Sequence, residues 1–274
     1  VGPGSKHLLY GLMSILCKKG DIIAFPSPYW PAYGLASAQL GLQTRAVKAS
    51  LEDGWGFGAD ALAGAKLAII CNPLNPTSTV YDEKLVRDSI AAAELDGAYV
   101  ILDEAYKGLS FCEIPRYEGE TLVRVRSFSK EFNMEGWRLG YAVAPEDVAK
   151  KLIAFNQITA TCVASFVQEA GIACLENEKG ILEENLAVWR PRAAAAQKAL
   201  RKAGFSFAEP QAGIYVFATH SGIDDAGAYA LMMLDSGVAV SPGTDFGGYG
   251  RFVRICVNRS EAELSEAISK MGAS

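Results

Sequence analysis

The stretch that decides the fold runs from Arg126 to Gly140 and reads RSFSKEFNMEGWRLG. It follows a short apolar run, Leu122–Val125, which has the length and β-branched content of a buried strand. Ligands of open parallel sheets bind beyond the carboxyl ends of the strands, so this position would let Lys130 face a ligand crevice. A single lysine is usually exposed and solvated, and its neighbours in the fold must therefore decide its role.

Two further strand ends carry polar side chains. The apolar run Tyr99–Asp103 leads into the segment DEAY, in which Asp103 and Tyr106 lie three residues apart. The run Leu67–Cys71 leads into NPLNPTS, where two Asn-Pro steps force an extended turn that presents Asn75. An aspartate after a strand also suits a helix cap. At the edge of a crevice, however, its carboxylate suits a protonated ring nitrogen, and the tyrosine suits a neighbouring ring oxygen.

Residues 2–6 read GPGSK and precede a helical pattern over Lys6–Lys18. The start of a helix presents free backbone N–H groups, which bind anions such as phosphate. The segment matches neither of the two common glycine-rich phosphate loops, and a plain turn into a helix accounts for it equally well.

Short apolar runs alternate with amphipathic stretches through the first part of the chain. This alternation predicts an α/β fold with a mainly parallel sheet covered by helices. The strands are predicted at Ile22–Phe25, Leu67–Cys71, Tyr99–Asp103, Leu122–Val125 and Gly140–Ala144, and the helices at Lys6–Lys18, Asp82–Leu95 and Glu146–Ile158.

An alanine-rich, charged stretch from Asn177 to Ala203 predicts one long helix that ends at Gly204, with Pro191 expected to kink or interrupt it. The pattern beyond it indicates a smaller α/β unit. Its elements are predicted as strand Gly213–Thr219, helix Asp225–Leu234, strand Val238–Ser241, strand Phe252–Val257 and helix Glu261–Met271.

The composition excludes several classes of function. The 274 residues are 50% hydrophobic and 21% charged, with a net charge of −5 and no long run of like charges, which argues against a nucleic acid partner. No apolar run approaches the ~20 residues of a membrane span. Six scattered cysteines and only two histidines disfavour a disulfide framework and a metal site, and a reducing, cytoplasmic setting is expected.

In their order and spacing, these motifs resemble those of the fold-type I aminotransferases, the class I/II family within the aspartate aminotransferase superfamily. The resemblance extends from Gly2 to the last helix and implies the cofactor pyridoxal 5′-phosphate (PLP). It makes Lys130 the catalytic residue, which forms a Schiff base with PLP. The cofactor-binding residues that it implies are Gly4, Ser5, Lys6, Trp30, Asn75, Asp103, Tyr106, Ser127, Lys130 and Arg138.

The resemblance also assigns a role to each of these side chains. Asp103 would contact the pyridine nitrogen, and both Tyr106 and Asn75 would contact the phenolic oxygen of the cofactor. Ser127 and Arg138 would bind the phosphate.

Residues 4–6 would add a phosphate cup in which backbone contacts matter more than the lysine side chain. Trp30, in the segment SPYW, would stack on the pyridine ring. Arg254, in FVRICVN, would grip the α-carboxylate of the substrate, and the substrate site implied is Arg254, Asn75 and Trp30. Ser78 departs from the family, since the asparagine loop commonly ends in glycine at this position.

The resemblance implies a three-layer α/β/α large domain over residues 1–185 and a smaller C-terminal α/β domain over residues 186–274. Against the family pattern the chain is expected to be truncated at its N-terminus, without the family's long N-terminal segment and the part of the small domain that this segment forms. A homodimer and a cytoplasmic location are implied as well.

The implied function is PLP-dependent transamination between an L-amino acid and a 2-keto acid. Fold and cofactor do not decide which bond at the α-carbon breaks, so a β-elimination lyase or a synthase is the alternative among enzymes. A further alternative is the PLP-binding domain of a transcriptional regulator, which an upstream helix-turn-helix segment would favour.

Overall fold

A computed structural model describes residues 1–272. Its larger sheet has six strands in the order β2-β1-β3-β4-β5-β6. All neighbouring strands are parallel except β5 and β6, which are antiparallel. The prediction of a mainly parallel sheet is confirmed. The strands are β1 (Ile22–Ser27), β2 (Gln43–Lys48), β3 (Leu67–Cys71), β4 (Tyr99–Asp103), β5 (Leu122–Ser127) and β6 (Gly140–Val143).

The helices of this part alternate with the strands, as the sequence pattern predicts. The helices α1, α3 and α5 were predicted to within two residues at each end, whereas α2, α4 and α6 were not predicted. The six helices are α1 (Ser5–Leu16), α2 (Pro31–Leu40), α3 (Glu83–Leu95), α4 (Phe128–Glu131), α5 (Glu146–Thr159) and α6 (Ser165–Glu176).

The middle of the sheet forms the main core. Every residue of β3 is buried, and four of the five residues of β4 are buried as well. Strands that are covered on both faces have continuous apolar sequences, and for this reason the predicted bounds of β3 and β4 agree with the structure. Since both strands are held rigidly, the polar residues at their carboxyl ends have fixed positions.

The smaller sheet is antiparallel, with the order β7-β8-β10-β9. It packs with three helices around a second apolar core. The predicted strand Val238–Ser241 is reduced to two residues, because only Ser241 and Pro242 pair with β10. The elements are α7 (Glu178–Lys202), β7 (Ser206–Phe207), β8 (Tyr215–Thr219), α8 (Ala226–Asp235), β9 (Ser241–Pro242), β10 (Phe252–Cys256) and α9 (Glu261–Gly272).

Pro191 does not interrupt α7, so the predicted interruption is wrong, while the predicted kink stays a prediction. The helix continues for 25 residues through the proline. Pro191 itself is exposed, while Ala193, Ala196 and Leu200 on the following turns are buried in the second core. Packing of this apolar face outweighs the loss of one backbone hydrogen bond. The predicted domain boundary at residue 185 falls within α7 and stays a prediction.

None of the helices in the described part of the chain has both the length and the apolar character needed to cross a membrane.

Candidate active site

Loops at the carboxyl end of the parallel sheet, the start of α1 and strand β10 surround a cavity of about 280 Å³. Of the eleven predicted site residues, ten line this cavity, and Gly4 lies behind it against Arg138. The ten are Ser5, Lys6, Trp30, Asn75, Asp103, Tyr106, Ser127, Lys130, Arg138 and Arg254. Residues that are far apart in sequence therefore meet at one place.

Asp103 lies at the end of β4 and is buried. Its Oδ2 accepts a hydrogen bond from the Tyr33 hydroxyl at 2.5 Å, and its Oδ1 accepts one from the Ala105 backbone N–H at 3.1 Å. Burial raises the pKa of the Asp103 carboxyl to about 6, although the hydrogen bond from Tyr33 acts in the opposite direction. The carboxylate can still be ionised at neutral pH and is ready to pair with a cationic group.

Polar side chains form a short chain of hydrogen bonds along one side of the cavity. The Asn75 amide donates to the Tyr106 hydroxyl at 3.4 Å, and Arg254 donates to Asn75 Oδ1 at 3.2 Å and to Ser241 Oγ at 3.2 Å. Asn75 therefore links Tyr106, on the loop after β4, to Arg254 in the smaller sheet.

Two aromatic rings hold the guanidinium of Arg254. Its Cζ lies 4.1 Å from the ring centroid of Tyr215 and 4.7 Å from that of Phe246. Such contacts restrict the rotation of a long side chain. The planar fork is thus already oriented beside the cavity, in a way that suits a carboxylate.

Lys130 lies in α4, the single turn of helix that follows β5. Ser127 begins this turn, and its Oγ accepts a hydrogen bond from the Ser129 backbone N–H at 3.2 Å. The side chain of Lys130 is 26% exposed, and its Nζ lies 3.2 Å from Oε1 of Glu135. The amine therefore reaches the cavity and has a carboxylate partner there.

Arg138 and Gly4 lie against each other at the phosphate end predicted from the sequence. Arg138 has a φ of 57°, and its Nη1 donates to the backbone oxygen of Glu135 at 2.7 Å. Gly4 has a φ of 87°, and a Cβ added there would lie 2.6 Å from Nη2 of Arg138. The backbone angle favours glycine here, and a side chain would also displace the guanidinium of Arg138.

The ammonium group of Lys6 contacts an aromatic ring, since its Nζ lies 5.3 Å from the ring centroid of Trp30. That residues 4–6 bind a phosphate mainly through their backbone stays a prediction. Trp30 itself forms an edge contact with Tyr33, with ring centroids 5.6 Å apart.

Several residues of the site were missed by the sequence reasoning. Tyr33 was missed because α2 was not predicted, and Tyr215 because a single aromatic residue in a strand normally reads as core. Glu135 lies within the segment 126–140, and its position five residues after Lys130 is the sequence signal that could have identified it. Tyr33 contacts the site through Asp103 without lining the cavity, whereas Glu135, Tyr215, Cys71, Ala105 and Ser129 line it and were not predicted.

A larger groove of about 840 Å³ lies between α7 and α9. Four alanines line it together with Lys198, Lys202 and Glu261, and it contains none of the residues that the sequence motifs predict as a site. Among residues 1–272, no cluster of three or more His, Cys, Asp or Glu side chains could hold a metal ion.

The sequence and the fold both match known aminotransferases. A family model, aminotransferase class I and II, matches residues 1–271. The chain is 36% identical to the aspartate aminotransferase of Thermococcus kodakarensis, over 94% of this chain and 69% of that protein. It is 29% identical to the LL-diaminopimelate aminotransferase of Syntrophobacter fumaroxidans, over 98% of this chain and 73% of that protein. The solved structure of Thermus thermophilus aspartate aminotransferase with maleate matches with a TM-score of 0.92 and 27% identity, over 99% of this chain and 74% of that one.

Proposed function

From the premise that this chain belongs to the aminotransferase class I and II family, a family of PLP-dependent enzymes, we propose how the residues around the cavity divide the work of transamination. The reaction transfers the amino group of an L-amino acid to a 2-keto acid. A lyase, a synthase or a transcriptional regulator is not favoured, because the relatives are named as aminotransferases.

One observation carries the assignment: a buried carboxylate, a lysine, two arginines and two donors for a ring oxygen line a single cavity. These groups complement the charges of PLP, which has an anionic phosphate, a basic ring nitrogen and a phenolic oxygen. The residues present therefore fit the cofactor.

The phosphate is assigned to the end of the cavity that contains Arg138. The guanidinium of Arg138, the hydroxyl of Ser127 and the free N–H groups at the start of α1 are all donors to an anion. Gly4 supports this end by leaving room for Arg138.

The ring is assigned to the part of the cavity beside Asp103. Asp103 would keep the pyridine nitrogen protonated through its ionised carboxylate, and Tyr106 and Asn75 would contact the phenolic oxygen. Trp30 covers one face of the ring. Each of these side chains lines the cavity, and Asp103 and Asn75 are buried, which limits their freedom to move.

Lys130 is assigned to covalent attachment and to proton transfer. When bound, PLP withdraws electrons from the α-carbon of the substrate and makes its proton acidic. The Nζ of Lys130 removes this proton, which requires an uncharged amine that is free of Glu135.

Arg254 is assigned to the α-carboxylate of both substrates. The Arg254→Ala variant should raise the KM of every amino donor by about a hundredfold, because two charge-assisted hydrogen bonds are lost. A panel of donors with 2-oxoglutarate measures this effect. Loss of activity with one donor alone would contradict the assignment.

The test of Lys130 is covalent trapping. The chain is incubated with PLP, reduced with borohydride and digested, and mass spectrometry should then locate the cofactor on Lys130. The Lys130→Ala variant should lose both this label and the visible absorbance of the bound cofactor.

Lys6→Ala is the matched control, because Lys6 also lines the cavity. This variant should keep the label on Lys130. A label on Lys6, or no lysine-linked cofactor in the wild-type chain, would show the assignment to be wrong.

Three broader features also belong to this proposal. We infer that the protein forms a homodimer, that it works in the cytoplasm, and that its domains divide near residue 185. Six free cysteines support a reducing compartment. A separate apolar cluster between α7, α8, α9 and the smaller sheet supports the division into domains, although Phe217 of β8 packs into the main core.

A further inference from the structure

Tyr33 is a buried tyrosine that the sequence motifs do not account for. It lies in the first turn of α2, is 2% exposed, and donates its hydroxyl hydrogen to Oδ2 of Asp103 at 2.5 Å. Its backbone is tied to the same turn, since its N–H donates to the carbonyl of Trp30 and its own carbonyl accepts from the Ser37 hydroxyl. The phenol is thus held in one place relative to β4.

The two oxygens of Asp103 have different partners. Oδ2 accepts from Tyr33, and Oδ1 accepts from the Ala105 N–H. Two donors from separate elements, one on each oxygen, fix the plane of the carboxylate as well as its position. A carboxylate that is fixed in this way loses little further freedom when a cation binds to it.

The hydroxyl of Tyr33 also favours the ionised form of Asp103. Burial disfavours that form, and so does the neighbouring carboxylate of Glu104. A hydrogen bond donated to a carboxylate has the opposite effect. The pKa of Tyr33 is itself raised well above its ordinary value by burial, so the phenol remains a donor throughout the physiological range.

We propose that Tyr33 is a positioning residue that orients Asp103 and keeps it ionised for contact with the pyridine nitrogen of PLP. The inference rests on the proposed function, because it takes the contact between Asp103 and the cofactor from there. Tyr33 does not touch the reacting atoms in this account; it acts through Asp103.

The test compares Tyr33→Phe with the wild-type chain, since this substitution removes one hydroxyl and keeps the ring. The dissociation constant of PLP should rise about tenfold at pH 7.5, the size expected from the loss of one hydrogen bond to a charged group. In the PLP-free protein, carbon-13 NMR of the Asp103 carboxyl should show its titration midpoint raised by about one pH unit.

A double-mutant cycle separates positioning from a merely structural effect. Asp103→Asn should weaken PLP binding more than Tyr33→Phe does, and the double variant should bind no more weakly than Asp103→Asn alone. Tyr81→Phe is the matched control, because Tyr81 is also buried but its hydroxyl has no hydrogen-bond partner within the described residues. This control should leave both the affinity and the titration of Asp103 unchanged.

The outcomes distinguish the two proposals. If Tyr33→Phe keeps the wild-type affinity and the wild-type titration while Asp103→Asn loses affinity, the role of Tyr33 is overturned and the proposed function stands. If the wild-type chain binds no PLP, the proposed function fails, and the role of Tyr33 toward the cofactor fails with it. Strictly additive losses in the double variant would also overturn the positioning role.

Discussion

At the scale of single residues, Ser78 shows what a departure from a family pattern means physically. Its φ is 58°, in the left-handed region that glycine adopts without cost, and it is buried where the asparagine loop turns. Ser78→Gly should therefore raise the free energy of unfolding by about 0.5 kcal/mol, since relief of backbone strain exceeds the added entropy of the unfolded chain.

Urea denaturation of the PLP-free protein measures this change. Ser78→Ala is the control, because it removes the hydroxyl and keeps the Cβ that causes the strain. It should not stabilise the protein. Equal stabilisation by both substitutions would mean that the hydroxyl, and not the backbone angle, is responsible.

Asp103 predicts a dependence of stability on pH. Burial raises its folded pKa to about 6, so between about pH 4 and pH 6 the folded chain holds a proton that the unfolded chain has released. The free energy of unfolding should therefore fall across this window, by at most about 3 kcal/mol, and this contribution should be constant above it.

Asp103→Asn isolates the effect because it cannot titrate. The difference in unfolding free energy between the wild type and this variant, both without PLP, should decrease from pH 4 to pH 6 in urea denaturation. A difference that is constant, or that grows with pH, would contradict the assigned pKa.

At the scale of helices and strands, Glu131 connects the turn that carries Lys130 to the loop after β4. It is buried, and it accepts the Gly108 N–H at 2.6 Å and Nη2 of Arg126 at 2.7 Å. Glu131→Ala should lower the free energy of unfolding by about 2 kcal/mol, because among residues 1–272 it leaves the largely buried guanidinium of Arg126 with Glu178, at 3.4 Å, as its remaining carboxylate.

Glu146→Ala is the comparison for this prediction. Its ion pair with Lys150 is exposed at both ends, with 82% and 72% of the side chains accessible, and such pairs contribute little. The midpoint of urea denaturation should move clearly for Glu131→Ala and stay in place for Glu146→Ala. Similar shifts in both would remove the special role of the buried pair.

The same scale explains which elements the sequence could predict. Strands β3 and β4 were located to the residue because both are buried runs of apolar side chains. Strand β2 was missed because it lies at the edge of the sheet, and its sequence QTRAVK is largely exposed and polar. Helix α2 was missed because its sequence PAYGLASAQL has no clear apolar face, and only two of its residues are buried.

The site shows a similar limit. Asp103 and Lys130 were predicted from local motifs, because each lies at or just after the end of a strand that the sequence also predicts. The contact between Tyr33 and Asp103 joins residues 70 positions apart. No local pattern encodes such a contact, because it depends on how α2 packs against the end of β4.

At the scale of the whole molecule, two consecutive helices leave an unusual amount of apolar surface exposed. Five large apolar side chains on α5 and α6 are between 43% and 85% exposed: Ile153, Ile158, Phe166, Ile172 and Leu175. Apolar surface of this kind usually marks a contact with another chain, and symmetric pairing of identical chains is the commonest arrangement. These side chains support the proposed homodimer.

The homodimer predicts a change in sedimentation on adding charge to this surface. The 274-residue chain should sediment as a dimer at micromolar concentration, and the double variant Ile158→Asp with Phe166→Asp should sediment as a monomer, because burying two carboxylates in an interface is costly.

Leu95→Asp is the control, since Leu95 is 88% exposed on α3, outside this cluster. All three proteins should keep the same circular dichroism and Tm when measured as monomers. A monomeric wild-type chain would refute the dimer, and a double variant that remains dimeric would place the interface on another surface.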